Sequence, residues 1–181
     1  WATQPPEFGG VGWHGAALGA MVVLWAGWWR YGERWYALVG GLAPVVPLLA
    51  FSTWTACRRT GCAFGKEVGT LAFYPAWLVT EGRDVYGLLA PRYDTQAFGQ
   101  SVALMLLVIV ALLWLRGRGG AWLTWSGLMT VAATTFVIEF VMGGAAPTVM
   151  GLRVTQLMDV GIFVMAGISL LMSVRSVRPA Q

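Results

Sequence analysis

Charged residues leave this chain for stretches long enough to cross a lipid bilayer. Runs 8–29, 35–57, 95–115 and 119–138 contain no Asp, Glu, Lys or Arg, and a fifth, 154–174, contains only Asp159. A hydrocarbon core of about 30 Å takes about 20 helical residues to span, so each run is predicted to be a transmembrane helix. The first run lacks the basic n-region and cleavage pattern of a signal peptide and is read as a span. The connections are short, with one exception, 58–94. Within it, 68–80 is apolar but too short to cross, which predicts a re-entrant or interfacial segment, and 81–94 is polar with Gly and Pro, which predicts a small surface element.

Composition agrees with this pattern. Hydrophobic residues make up 57% of the 181 positions and charged residues 11%, against about 25% charged in a soluble domain. The expected fold is a single all-α integral membrane domain of five spans with an outer segment at 58–94. Small residues at four-residue spacing, Gly15 with Gly19 and Ala16 with Ala20, suit close helix packing in lipid. Many of the 11 tryptophans fall near predicted span ends, where an amphipathic ring meets headgroups.

Charge then orients the bundle. With five alternating helices, Arg30, Arg34, Arg116, Arg118, Arg175 and Arg178 share one side with Glu33 as the sole acid, while the opposite side balances six basic residues against seven acids. The positive-inside rule places the first side in the cytoplasm together with the C-terminus, and segment 58–94 outside. Basic residues scattered over short connections do not make a nucleic-acid surface, and no nucleic-acid partner is expected.

The same topology brings polar residues to one depth near the outer face. His14 lies early in the first span, Arg58 and Arg59 at the end of the second, Gln96 at the start of the third, Glu139 at the end of the fourth, and Gln156 and Asp159 at the start of the fifth. Ionisable groups at membrane depth pair with one another or line a wet cavity, so one polar pocket is expected under the outer surface. Arg58 and Lys66 read as interfacial anchors. Arg59 beside Gly61 offers a guanidinium fork next to flexible backbone, a natural grip for a phosphate. Glu139 reads either as part of a site or as a structural partner of Arg59 or Arg153. His14, the only histidine, is open to three readings: general base, metal ligand or satisfied core residue. Cys57 and Cys62 form either a disulfide or a free pair, and with one histidine nearby they lack the usual zinc ligand set, so no metal is expected there.

Five motifs in order resemble the bacterial prolipoprotein diacylglyceryl transferases. They are His14-Gly15-Ala16-Ala17-Leu18-Gly19, Arg59-Thr60-Gly61-Cys62 followed by Gly65 to Gly69 with Glu67, and Arg92-Tyr93-Asp94-Thr95-Gln96. Thr135-Phe136-Val137-Ile138-Glu139-Phe140 and Gly151 to Gln156 complete the set. The resemblance implies a bacterial plasma-membrane protein whose relatives have seven spans, so that two are missing here or lie upstream of Trp1. It implies a reaction moving diacylglyceryl from phosphatidylglycerol to a lipobox cysteine, with His14, Arg59 and Glu139 as catalytic residues. It further implies a lipid or ligand site of His14, Gly15, Arg59, Gly61, Glu67, Arg92, Gln96 and Gln156. Several of the family's polar residues are absent, however: its arginine before Phe-x-x-Glu is Thr135, the one after is Met142, the histidine of its third motif is Tyr93, and the acid closing that motif is Gly99.

Each missing phosphate-stabilising donor would lower a rate by about 10²- to 10³-fold. The expectation is therefore a descendant that keeps the fold without the chemistry. It would be an accessory subunit of a larger membrane complex, photosynthetic or respiratory, holding a phospholipid, a quinone or a (bacterio)chlorophyll-type tetrapyrrole, with His14 as a conceivable magnesium ligand. Its expected partners are membrane lipids and other membrane subunits. The alternative is an active transferase or a related lipid-modifying enzyme.

Overall fold

The computed structural model describes residues 11–32 and 34–176. The start of the first run (8–10), Glu7, Glu33 and Arg178 lie outside the described residues. Helix α1 (Val11–Tyr31) occupies the first charge-free run, α4 (Thr95–Leu115) the third, α5 (Ala121–Ile138) the fourth and α6 (Val154–Ser176) the fifth. The second run is broken into α2 (Arg34–Gly41) and α3 (Val45–Thr60). The break falls at Pro44, which caps α3; a proline ring cannot follow four residues after a helical carbonyl without a clash. Tighter i→i−3 bonds carry the chain through it, Ala43 N–H to Gly40 O and Val45 N–H to Leu42 O. Pro47 is tolerated because it sits in the first turn of α3, where its missing N–H would have no helical acceptor.

Among the described residues, four helical stretches are long and apolar enough to cross a membrane: Arg34–Thr60, Thr95–Leu115, Ala121–Ile138 and Val154–Val174. The protein is thus a mostly helical, multi-pass membrane protein. Helix α5 packs along α6 and α3 along α4, while α2 rests on the start of α5. That last approach is close, since a Cβ on Gly40 would lie 2.9 Å from the Gly120 carbonyl carbon. Thr124 also donates to Val39 O at 2.6 Å, satisfying a carbonyl near the break. The apolar core runs between the helices through Met21, Val39, Trp125, Val131 and Ile162.

Two small hairpins complete the chain. Strands β1 (Val79–Arg83) and β2 (Leu89–Tyr93) pair antiparallel, and Asp84 shapes the connecting turn by accepting from the backbone of Tyr86 and Leu88. The 68–80 stretch is a 3-10 turn at Leu71–Phe73 followed by the start of β1, with Phe73 and Trp77 exposed. Strands β3 (Thr148–Val149) and β4 (Leu152–Arg153) pair through Met150 and Gly151, both at positive φ, the requirement of a tight two-residue turn. These hairpins lie against each other's neighbourhood: Gly143 N–H donates to Phe64 O, and Lys66 N–H to Val141 O. Segment 63–68 therefore ties the first hairpin to the loop after α5.

Candidate functional site

The polar residues fall into two groups. The first is buried where α1, α5 and α6 meet. Spacing explains its form, because residues four apart share a helix face. Thr135 and Glu139 stand on one face at the end of α5, and Thr155 and Asp159 on one face at the start of α6. The two pairs brace each other crosswise. Thr135 Oγ1 donates to Asp159 Oδ1 at 2.8 Å, and Thr155 Oγ1 to Glu139 Oε2 at 2.5 Å. His14 comes in from α1, its Nε2 3.1 Å from the same Asp159 Oδ1. Asp159 is 1% exposed, His14 and Glu139 6% each, and one donor or acceptor atom from each of the three lies within 4.8 Å of the others. Two charged carboxylates at about 5 Å repel by about 3 kcal/mol at an effective dielectric of about 20, a repulsion that a cation between them relieves. The second oxygen of Asp159, Oδ2, is buried with no hydrogen-bond partner.

Gln156 and Arg153 frame this cluster without joining it. Gln156 accepts from Arg153 N–H and donates to Phe136 O. The Arg153 guanidinium turns to the loop after α5, donating to the carbonyls of Met142, Gly143 and Gly144. Among the described residues, no ion pair joins Glu139 to Arg153 or to Arg59.

The second group lies where α3 ends against the first hairpin. Helix α3 stops at Gly61, whose φ of +76° is the left-handed cap that glycine adopts without strain. A Cβ there would fall 2.5 Å from Asp84 O. Cys57 and Cys62 are joined in a disulfide, which closes the turn around Arg58 and Arg59. Gln96, at the head of α4, donates to both Cys57 O and Cys62 O and so fixes that turn from behind. A cleft of about 380 Å³ opens here, lined by Arg58, Arg59, Gly61, Arg83, Asp84, Asp94 and Gln96 among others. Arg58 is engaged with Asp94 and Gln100, whereas the exposed Arg59 guanidinium takes part in no hydrogen bond or ion pair among the described residues. A separate apolar groove of about 320 Å³ on α4 is lined by Trp77, Phe98, Val102 and Met105.

The residues expected in a single pocket are thus placed in two locations. Arg59, Gly61 and Gln96 belong to the cleft, and none of His14, Glu139 and Asp159 lines it. Gly15 follows His14 on the exposed face of α1. Glu67 and Arg92 lie elsewhere again. Arg92 is 4% exposed, pairs with Glu67 at 2.7 Å and Asp84 at 3.2 Å, and stacks over the Phe64 ring. It forms the inside of the outer cap. Thr155 joins the buried group with His14, Glu139 and Asp159, which the sequence places at one depth. The signal for Asp159 is its standing as the lone charge in an apolar run; for Thr155 no comparable signal exists.

The family model for prolipoprotein diacylglyceryl transferase matches residues 5–173. The chain belongs to that family. No curated protein matches it in sequence. Family membership agrees with the order of the five motifs and makes the protein transferase-like in kind. Thr135, which the motif resemblance sets against an arginine, hydrogen-bonds the buried acid Asp159.

Proposed function

We propose that this chain is a non-catalytic member of the prolipoprotein diacylglyceryl transferase family that holds a phospholipid at its outer face and serves as an accessory subunit of a larger membrane complex. The observation that carries the proposal is the separation of the Arg59 cleft from the His14 and Glu139 cluster. A transfer reaction needs positive charge on the leaving phosphate and a base near the thiol at one reacting centre. Here the accessible guanidinium is in one place, the imidazole is engaged with Asp159 in another, and the side chain beside that imidazole is a threonine.

A phospholipid suits the cleft and its surroundings. The cleft offers a phosphate grip at Arg59, and the apolar surface around it takes the acyl chains, with a separate groove at Trp77, Phe98 and Met105 on α4. A tetrapyrrole on His14 finds less support, since Nε2 would have to give up Asp159. In this reading segment 58–94 is extracytoplasmic, as the charge balance expects. The second reading, an active transferase using His14, Arg59 and Glu139, is favoured by one observation, that His14 and Glu139 stay together at the bundle's end.

The test uses protein purified gently from its native membrane. Incubation with phosphatidylglycerol and a lipobox peptide is expected to give no lipidated peptide. Native mass spectrometry is expected to find bound phospholipid in the wild type and little in Arg59→Ala. Peptide lipidation that disappears in Arg59→Ala would establish the transferase and end the accessory-subunit reading.

A further inference from the structure

We infer that His14, Glu139 and Asp159 form a binding site for a first-row divalent cation, with zinc the best chemical fit, which ties α1, α5 and α6 together. Three observations converge on it. The donor set is one imidazole and two carboxylates, a set that suits zinc and related ions. The three offered atoms lie within 4.8 Å of one another, and all three residues are buried. Neighbouring donors around a tetrahedral ion with bonds of about 2.0 to 2.2 Å stand about 3.3 to 3.5 Å apart. The 3.1 Å His14–Asp159 contact already has roughly this spacing. The Glu139 carboxylate lies within 4.8 Å of the other two offered atoms, so binding an ion draws it inward.

The second observation is the orphaned oxygen. Asp159 Oδ1 serves both His14 and Thr135, yet Oδ2 of the same carboxylate is buried with no partner. A buried carboxylate oxygen without a donor is costly, and a cation removes the deficit. The third is the support around the ligands. Thr135 holds Asp159 and Thr155 holds Glu139, each by a hydroxyl donated from the facing helix. Outer hydrogen bonds of this kind orient metal ligands.

Charge supplies the reason. Among the described residues, the only ion pair made by either acid is that between Asp159 and His14, while Arg153 Nη2 donates to loop carbonyls and makes no ion pair with Glu139. One divalent cation balances both carboxylates. On binding, neutral Nε2 becomes a ligand with the ring proton on Nδ1, and any second imidazole proton is released to solvent, which is the step that couples uptake to pH. The role is structural, and it stands independently of what the outer cleft binds.

The experiment takes detergent-purified chain with its affinity tag removed, stripped by chelator and titrated with zinc and with cobalt. The expected result is one equivalent per chain, a visible cobalt absorption band, and X-ray absorption fitting nitrogen and oxygen ligands without sulfur. Asp159→Asn and Glu139→Gln should lose the equivalent, and Thr135→Val should weaken it by about 10- to 100-fold. A stripped wild-type chain that keeps its helical signal but takes up neither ion overturns the site, and would mean that a proton balances the acids. Uptake undiminished in a folded Asp159→Asn overturns it equally. If that variant fails to fold, the wild-type stoichiometry and ligand spectrum decide alone. Metal content is read apart from lipid content, so this inference and the proposed function fail separately.

Discussion

Two clusters built around acidic side chains sit at one end of this molecule's bundle and differ in what meets those acids. In the outer cap, Arg92 is enclosed by Glu67, Asp84 and Phe64, and each of its ionic contacts has a counterpart of opposite sign. In the helix junction, two acids share one imidazole and two threonines, and an oxygen is left over. The first sets a guanidinium between two acids, although its Nε is buried without a partner. In the second, the only ion pair of the two acids among the described residues is with the His14 imidazole. A guanidinium among acids thus gives an ion-pair network in one place, and two acids around one imidazole give the inferred cation site in the other.

The largest effect expected from breaking this contrast is at Asp159. Asp159→Ala removes the shared acceptor of His14 and Thr135 at 1% exposure. Loss of one member of a buried pair costs about 3 to 5 kcal/mol, so thermal unfolding in detergent should show a large fall in Tm. Asp159→Asn keeps an acceptor and should recover part of it. An unchanged Tm in Asp159→Ala would mean that the junction contributes nothing to stability and that the comparison is wrong.

Next in size is Arg92. Arg92→Ala leaves buried Asp84 without its counter-charge and uncovers the Phe64 ring, for an expected loss of about 3 kcal/mol. Limited proteolysis should then cut within 63–94, while the helices stay protected. Cutting confined to the helix ends would place the stability of the cap elsewhere. A smaller loss, about 2 kcal/mol, is expected when the short Cys57–Cys62 loop is opened by Cys57→Ser with Cys62→Ser. Gln96 still holds both carbonyls of that turn, so the cleft should loosen without unfolding.

Much of this was legible in the residues. Charge-free runs report lipid exposure directly, which is why the helices fall where the hydrophobic pattern puts them. Pro44 and Pro47 carry the signal for the break between α2 and α3, though spacing alone cannot tell a kinked span from a straight one. The β1–β2 hairpin is hidden because its strands are five residues long and include Glu81, Arg83 and Arg92; their pairing follows from the Asp84 turn and from the Arg92 network, which is a tertiary matter. Depth along a span predicted that His14, Glu139 and Asp159 lie at one level. Which of them touch depends on how α5 and α6 rotate about their axes, and a threonine such as Thr155 carries no pattern that reveals it. The same limit merged the Arg59 cleft with the junction, since depth does not resolve position across the bundle.

The smallest stability effect is expected at Arg59, and it is the most informative. Its guanidinium is exposed and makes no hydrogen bond or ion pair among the described residues, so Arg59→Ala should change stability by no more than about 0.5 kcal/mol. Phospholipid retention in the same preparation should nevertheless fall sharply, because the fork that matches a phosphate bidentately is gone. Arg59→Lys keeps the charge but not the fork and should retain an intermediate amount. A matching pair of results, stable fold with lost lipid for Arg59 and an opened cap for Arg92, would separate a binding arginine from a structural one. Equal lipid retention in wild type and Arg59→Ala would move the lipid away from the cleft and leave Arg59 as a headgroup anchor like Arg58.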